Sequence, residues 1–372
     1  MTNKQGGLAG VVAGESAIAT VGKAGKGLNY RGYSIDDLAN HATFEEVAYL
    51  LHYGQLPNQR ELDRYQEKLI SLRNIPSALK DVLRAIPKHA HPMDVLRTGC
   101  SFLGNLEPEE SFKQQYDIAD RLLAIYPAIM CYWYAWHFLD KEISEYSDEP
   151  TIGGHFLALL HQKKPNDLAK NMMNVSLILY AEHEFNASTF AARVTAATLS
   201  DIYSAMTSAI GTLRGPLHGG ANEAAMELIE QFTTADEAET KLLQMLANKE
   251  KIMGFGHRVY TDCDPRSDII KTWSKKFAQT TGDMTLYDIS ERIESLMWRE
   301  KKLFPNLDFY SASAYHFCGI PTFLFTPIFV MSRTTGWAAH IFEQRANNRL
   351  IRPTSEYIGP EQRHYLPIEQ RG

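Results

Sequence analysis

The sequence predicts an all-α protein. Helix-start and helix-stop signals recur along the chain, strand-like runs are few and short, and nothing alternates strand with helix as a parallel sheet would require. At 372 residues the chain is long for a single core, so two packed domains are expected.

Near the start, Ala19–Val21 and Leu28–Tyr33 suit a small hairpin. Thr43 with Glu46 three residues on is a capping box that opens FEEVAYLLHYG, and Gly54 suits its stop. Asn58 starts a helix reaching Leu72, and Pro92 suits the first position of the helix continuing MDVLRTGCSFLG. The stretch Leu122 to Leu139 carries no charge. Pro127, His137 and its tyrosines favour a buried core or interface helix over a membrane span. Helices are also expected over Met172 to Glu184, Ser188 to Leu213, Ala221 to Phe232 and Ser332 to Arg345. Glycine-rich breaks at Gly211–Gly220 and Gly254–Gly256 flank a helical segment, and apolar helix returns near Pro321. The expected division is a discontinuous large helical domain, 1–219 with 323–372, and a smaller mobile helical domain, 220–322.

Hydrophobic residues at 44% and charged residues at 22% are ordinary for a soluble globular protein. The formal net charge of −6 argues against a nucleic-acid partner, while a local cluster of Arg and His could still hold an anionic substrate. Cys100, Cys131, Cys263 and Cys318 are scattered without a CxxC pair, which fits unpaired thiols in a reducing compartment. The segment Met1–Ala17 has no charged stretch followed by an apolar one, so no secretory leader is read. A cytoplasmic protein with no membrane partner is expected.

Five segments can carry chemistry. In Gly215-Pro216-Leu217-His218-Gly219-Gly220-Ala221-Asn222-Glu223, a histidine stands directly before a helix. The positive end of the helix dipole would keep His218 neutral, an electrophile donating one N–H. An idle turn histidine would read the same. In Gly254-Phe255-Gly256-His257-Arg258-Val259, valine replaces the third glycine of a dinucleotide fingerprint and no strand precedes it. The glycines better serve close approach of a ligand to main-chain groups. His257 and the Arg266 of Asp264-Pro265-Arg266 could both reach an anionic oxygen, whereas Arg258 alone reads as part of a solvated loop.

Asp308, in Phe304-Pro305-Asn306-Leu307-Asp308-Phe309-Tyr310, sits among apolar and aromatic neighbours that would raise its basicity. An isolated aspartate there would more often be a turn or cap. Glu182-His183-Glu184 is not a zincin helix, because Ala187 stands where the second histidine would be. Arg333, in Ser332-Arg333-Thr334-Thr335-Gly336-Trp337, and Arg352 before Pro353 suit bidentate capture of carboxylates.

In this order the five segments resemble the citrate synthase family over essentially the whole chain. The resemblance implies an all-α, citrate-synthase-like fold and a catalytic trio of His218, His257 and Asp308. It further implies an oxaloacetate pocket of His183, Arg266, Arg333 and Arg352, with Arg352 shared across a homodimer. Coenzyme A is expected on the loop of Lys251, Ile252, Met253, Gly254 and Phe255, with Arg258 a further phosphate contact. No metal and no tightly bound cofactor are implied; CoA enters and leaves as substrate and product.

Leu179 to Ser188, Glu343 through Pro353 and Tyr357 to Arg363 resemble the 2-methylcitrate synthase branch of that family. The implied reaction condenses propionyl-CoA with oxaloacetate and water, with acetyl-CoA also accepted. Citrate synthesis from acetyl-CoA is the alternative within the family. A non-catalytic helical metal- or nucleotide-binding protein is the alternative outside it, opposed by the absence of HExxH, paired CxxC and a complete GxGxxG.

Overall fold

The computed structural model describes residues 7, 10–22 and 27–371. Of the stretch Met1–Ala17 read for a leader, residues 1–6 and 8–9 lie outside the described residues. Sixteen α-helices, three single-turn 3-10 helices and one small sheet make up the regular structure of the described residues.

Strands β1 (Ala19–Val21), β2 (Leu28–Tyr30) and β3 (Tyr33–Ser34) pair antiparallel in that order. Ala19 lies opposite Tyr30, and Tyr30 opposite Tyr33. The single run expected over Leu28–Tyr33 is folded in two by Arg31 and Gly32, both at positive φ. Helix α1 (Ile35–His41) follows directly, its N-terminus capped by Ser34. The capping box at Thr43 and Glu46 opens α2 (Phe44–Tyr53), and Gly54 ends it in the left-handed conformation. Asn58 and Glu61 form a second capping box on α3 (Gln59–Ser71). The next helices are α4 (Ser77–Ala85), α5 (Pro92–Leu106, with proline at its first position) and α6 (Gln115–Phe138). The uncharged stretch is buried in α6 from Leu122 to Trp133 and reaches the surface at Trp136, Phe138 and Leu139, and no helix among the described residues is long and apolar enough to cross a membrane.

Helix α7 (Ile152–His161) precedes α8 (Asp167–Tyr180), which starts earlier and ends sooner than the Met172–Glu184 expected. Asn166 caps its start. At the other end the Tyr30 hydroxyl takes the carbonyls of Ile178 (3.1 Å) and Glu182 (3.1 Å), so residues 181–184 leave the helix against β2. The continuous helix expected over Ser188–Leu213 is two, α9 (Ala187–Ala197) and α10 (Ile202–Leu213). Leu199 at φ 66° breaks the run, and Asp201 restarts it by accepting Ser204 N–H.

Helices α11 (Ala221–Ile229), α12 (Ala235–Ala247), α13 (Pro265–Thr281), α14 (Thr285–Lys301) and α15 (Leu307–Phe317) fill the segment after the first glycine break. α15 packs on α11 and α13, and α12 packs on α14. The segment meets the rest of the chain through α13 on α1 and α8 and through α11 on α16 (Phe325–Ala346). α16 is the buried axis, touching α2, α5, α6, α8, α9 and α10. Gly336 lets it come close: a Cβ there would collide with Glu182 Oε2 and the Ala181 carbonyl. Beyond α16 the chain is exposed and mostly without regular structure from 347 to 371. The four cysteines are unpaired.

Candidate active site

Residues from α8, the segment 181–188, the loop 215–220, the loop 254–266, the start of α15 and the middle of α16 converge on one cleft. His218, His257 and Asp308 keep partial access to it, while His183, Arg266 and Arg333 are buried in its floor.

His218 lies two residues before Gly220, the N-cap of α11. Its Nε2 receives the Ser188 main-chain N–H at 3.2 Å and lies 2.8 Å from the Ser188 hydroxyl. A main-chain amide can only donate, so Nε2 is the acceptor and the proton sits on Nδ1. Trp337 Nε1–H in turn holds the Ser188 hydroxyl at 3.1 Å. Burial first, then the Arg333 guanidinium, push the His218 pKa down to about 4. The neutrality expected from the helix dipole is therefore present, with burial as its main cause.

His257 is arranged in the same way with the nitrogens exchanged. Its Nδ1 accepts Val259 N–H at 3.0 Å and Tyr260 N–H at 3.3 Å, which leaves the proton on Nε2. Burial and the Arg266 charge lower its pKa to about 4. Each histidine thus stays neutral at physiological pH and presents one N–H donor.

His183 packs edge-on to His257, with ring centroids 5.0 Å apart, and its Nε2 lies 3.1 Å from the Tyr260 hydroxyl. Burial, Arg266, His257 and Arg333 all hold it neutral. Arg266 is gripped by Asp264, whose carboxylate accepts Nε at 2.9 Å and Nη2 at 2.8 Å. The pairing holds the guanidinium protonated and leaves its Nη1 edge for a ligand. Asp264 Oδ2 also accepts Leu307 N–H at 3.1 Å, tying this loop to the start of α15.

Arg333 has no carboxylate partner within ion-pair distance among the described residues. Its Nε donates to the Tyr180 carbonyl at 2.6 Å, and its guanidinium lies 4.6 Å from the Phe329 ring centroid. Burial lowers its pKa to about 10, still well above neutrality. A buried cation without a counter-ion beside it is a place for an anion.

Asp308 stands in the first turn of α15, set by Asn306, whose side chain accepts Asp308 N–H at 3.1 Å. Burial raises its pKa, opposed by the Tyr180 hydroxyl donating to Oδ1 at 2.6 Å. Replacing Tyr180 with phenylalanine removes that stabilisation of the carboxylate, so the Asp308 pKa rises further. The acid limb of the kcat/KM profile is therefore expected to move to higher pH. An unmoved limb in a pH–rate series would show that Tyr180 does not tune this group.

The glycine loop is tied to the start of α15. Gly254 carbonyl accepts Asn306 N–H (2.9 Å), Gly256 N–H donates to Phe304 (2.8 Å), and Gly256 carbonyl accepts Asn306 Nδ2 (3.1 Å). Phe255 and Pro305 are the opposed pair of this short bridge. Three of the four main-chain polar groups of these glycines therefore lace the two loops together, and the Phe255 main-chain groups point away from the bridge. Both glycines stand at positive φ, and Gly254 packs closely on Phe309. Lys251 and Arg258 are exposed beside this bridge, Ile252 is buried and Met253 partly so. Arg352 lies apart, on the exposed C-terminal segment. Tyr180, Ser188 and Tyr260 stand inside the motifs without a role read for them, and Phe329 lies outside the motifs; a tyrosine ending an apolar helix just before Glu182-His183 is the sequence sign of the first.

A family model described as citrate synthase, C-terminal domain, matches residues 7–354. The chain is 60% identical to the 2-methylcitrate synthase of Shewanella oneidensis, over 98% of this chain and 97% of that protein. It is 44% identical to citrate synthase 2 of Bacillus subtilis, over 98% of each. Among solved structures it is similar to the citrate synthase of Thermoplasma acidophilum in ternary complex with carboxymethyl coenzyme A and oxaloacetate. That match has a TM-score of 0.91 and 32% identity, over 97% of this chain and 98% of the other.

Proposed function

The chain belongs to the citrate synthase family of condensing acyltransferases, and from that premise we propose that it condenses propionyl-CoA with oxaloacetate and water to 2-methylcitrate and CoA. The observation that carries the chemistry is the pair of neutral histidines, each with one nitrogen pinned by main-chain amides, beside a carboxylate of raised basicity. The propionyl assignment draws its support from the 60% identical Shewanella relative.

Asp308 removes a proton from the carbon alpha to the thioester carbonyl. His218 Nδ1–H donates to that carbonyl oxygen as negative charge gathers there, a donor already oriented before reaction. The resulting carbon nucleophile attacks the ketone of oxaloacetate. His257 Nε2–H, with Arg266 beside it, polarises that ketone and supplies the proton to its oxygen. Water then cleaves the thioester, releasing CoA and the tricarboxylate. His183, Arg266 and Arg333 hold the dicarboxylate, and Arg352 completes the pocket from the second subunit of a homodimer. The acyl-CoA lies along the outward edge of 251–255, with Arg258 near a phosphate. Closure of the segment 220–322 over bound oxaloacetate excludes water from the thioester until condensation is done. The protein works in the cytoplasm.

Propionyl exceeds acetyl by one methylene, worth about 0.8 kcal/mol of burial and at most about 1–3 kcal/mol of discrimination. The deciding measurement is kcat/KM for both thioesters at saturating oxaloacetate. We expect propionyl-CoA to be preferred, with acetyl-CoA still turned over. A preference for acetyl-CoA would make the protein a citrate synthase in activity, as the name of the Bacillus relative has it.

A further inference from the structure

Behind the cleft lies a row of buried charged groups that the proposed mechanism leaves unused. Glu182, immediately before His183, is fully buried. Its Oε1 accepts His340 Nε2–H at 2.8 Å, and its Oε2 has no hydrogen-bond partner among the described residues. His340 Nδ1 accepts Arg193 Nη1 at 2.8 Å, and because arginine only donates, His340 is the neutral Nε2–H form. Arg193 Nη1 also meets Glu343 Oε2 at 2.8 Å, so Arg193 and Glu343 balance each other. Glu182 is then a buried negative charge with no cation in direct contact.

Two cations without an ion-pair partner among the described residues feel its charge, Arg31 and Arg333, and of these Arg333 faces the cleft. Glu182 Oε2 lies against Gly336, one helical turn along α16 from Arg333, at the spot a side chain at 336 would fill. Arg333 Nε is bonded to Tyr180, two residues before Glu182. The negative charge of Glu182 supports protonation of Arg333, second in size only to the opposing effect of burial.

We propose that Glu182 is a buried counter-charge to Arg333 that weakens the hold on oxaloacetate, keeping substrate and product exchangeable. It is a positioning residue acting through Arg333 and touches no substrate. This rests on the reading of Arg333 as a carboxylate ligand. In the empty site the two charges compensate without contact, so neither needs a counter-ion from solvent. A bound dicarboxylate gains the attraction of Arg333 and is repelled by Glu182 through the same low-dielectric floor. Removing the negative charge leaves Arg333 protonated, because an arginine keeps its proton at neutral pH even when buried.

The sign of the effect separates this from simple scaffolding. A residue that only shapes the pocket weakens binding when replaced; a counter-charge tightens it. Equilibrium binding of oxaloacetate alone is compared in the full-length wild type and in Glu182→Gln, which keeps the size and an acceptor for His340. Binding about tenfold tighter is expected, with kcat reduced as release slows. His340→Gln is the second variant: it keeps a donor to the Glu182 carboxylate and leaves the buried charge in place, so binding is expected to stay at the wild-type value. Equal or weaker oxaloacetate binding in the folded Glu182→Gln protein, or a tightening in His340→Gln that matches it, overturns the proposal. A wild type that binds no oxaloacetate overturns the reading of the site itself, and the counter-charge with it.

Discussion

Asp308→Asn lowers kcat for condensation by about 10²–10⁴-fold, the usual contribution of a positioned general base. Asparagine keeps the length of the side chain and still accepts the Tyr180 hydroxyl, so the start of α15 and its Asn306 cap stay in place. What is lost is the group able to take the alpha proton. The same variant should therefore stop exchange of that proton with deuterated solvent, while oxaloacetate still binds. Steady-state turnover and exchange read by NMR check both halves. Near-normal turnover in a folded Asp308→Asn protein would remove Asp308 from the mechanism.

Arg333→Met has the second large effect, and it falls on substrate capture. Methionine fills most of the volume against Phe329 without the charge. Losing one buried, hydrogen-bonded charge partner typically costs about 2–5 kcal/mol, which is roughly a 30- to 5,000-fold fall in kcat/KM for oxaloacetate. The acyl-CoA KM should change far less, because the 251–255 loop is separate from α16. Two effects accompany the loss. The variant leaves buried Glu182 without its counter-charge. It also raises the His218 pKa, since Arg333 is one of the two influences holding that histidine neutral. Initial rates with each substrate varied in turn distinguish these effects. Equal losses for both substrates would indicate a distorted cleft.

The parts of this structure that were legible in the sequence are those fixed by neighbours within one helical turn. Thr43 with Glu46 and Pro92 place helix starts through bonds spanning a few residues, and they stand where the pattern put them. The break between α9 and α10 was not legible, because Leu199 has no residue-type reason to adopt positive φ. The end of α8 was hidden for a different reason: a tyrosine hydroxyl from β2, about 150 residues earlier, takes its last carbonyls. The residues that meet in the cleft could be named from their motifs, but their protonation could not. Which nitrogen of His218 carries the proton is decided by Ser188 N–H, 30 residues away in sequence. That Arg266 is already matched by Asp264 while Arg333 is not depends on how α13 and α16 are buried, which no spacing reveals.

The short bridge between 254–256 and 304–306 has a mechanical meaning on the proposed domain division. The strip that would receive the nucleotide and the residue that caps the helix of the base are laced by three hydrogen bonds. Asp264 adds a fourth tie from Arg266 to Leu307. On that division His257, Arg266 and Asp308 would move as one jaw against an anvil of His183, His218 and Arg333, with the Tyr180 bond to Asp308 as a contact made on closing. A thioester docked on such a jaw would carry its own base with it but lack an electrophile until the jaw came down. Enolisation would in that sense be gated by travel.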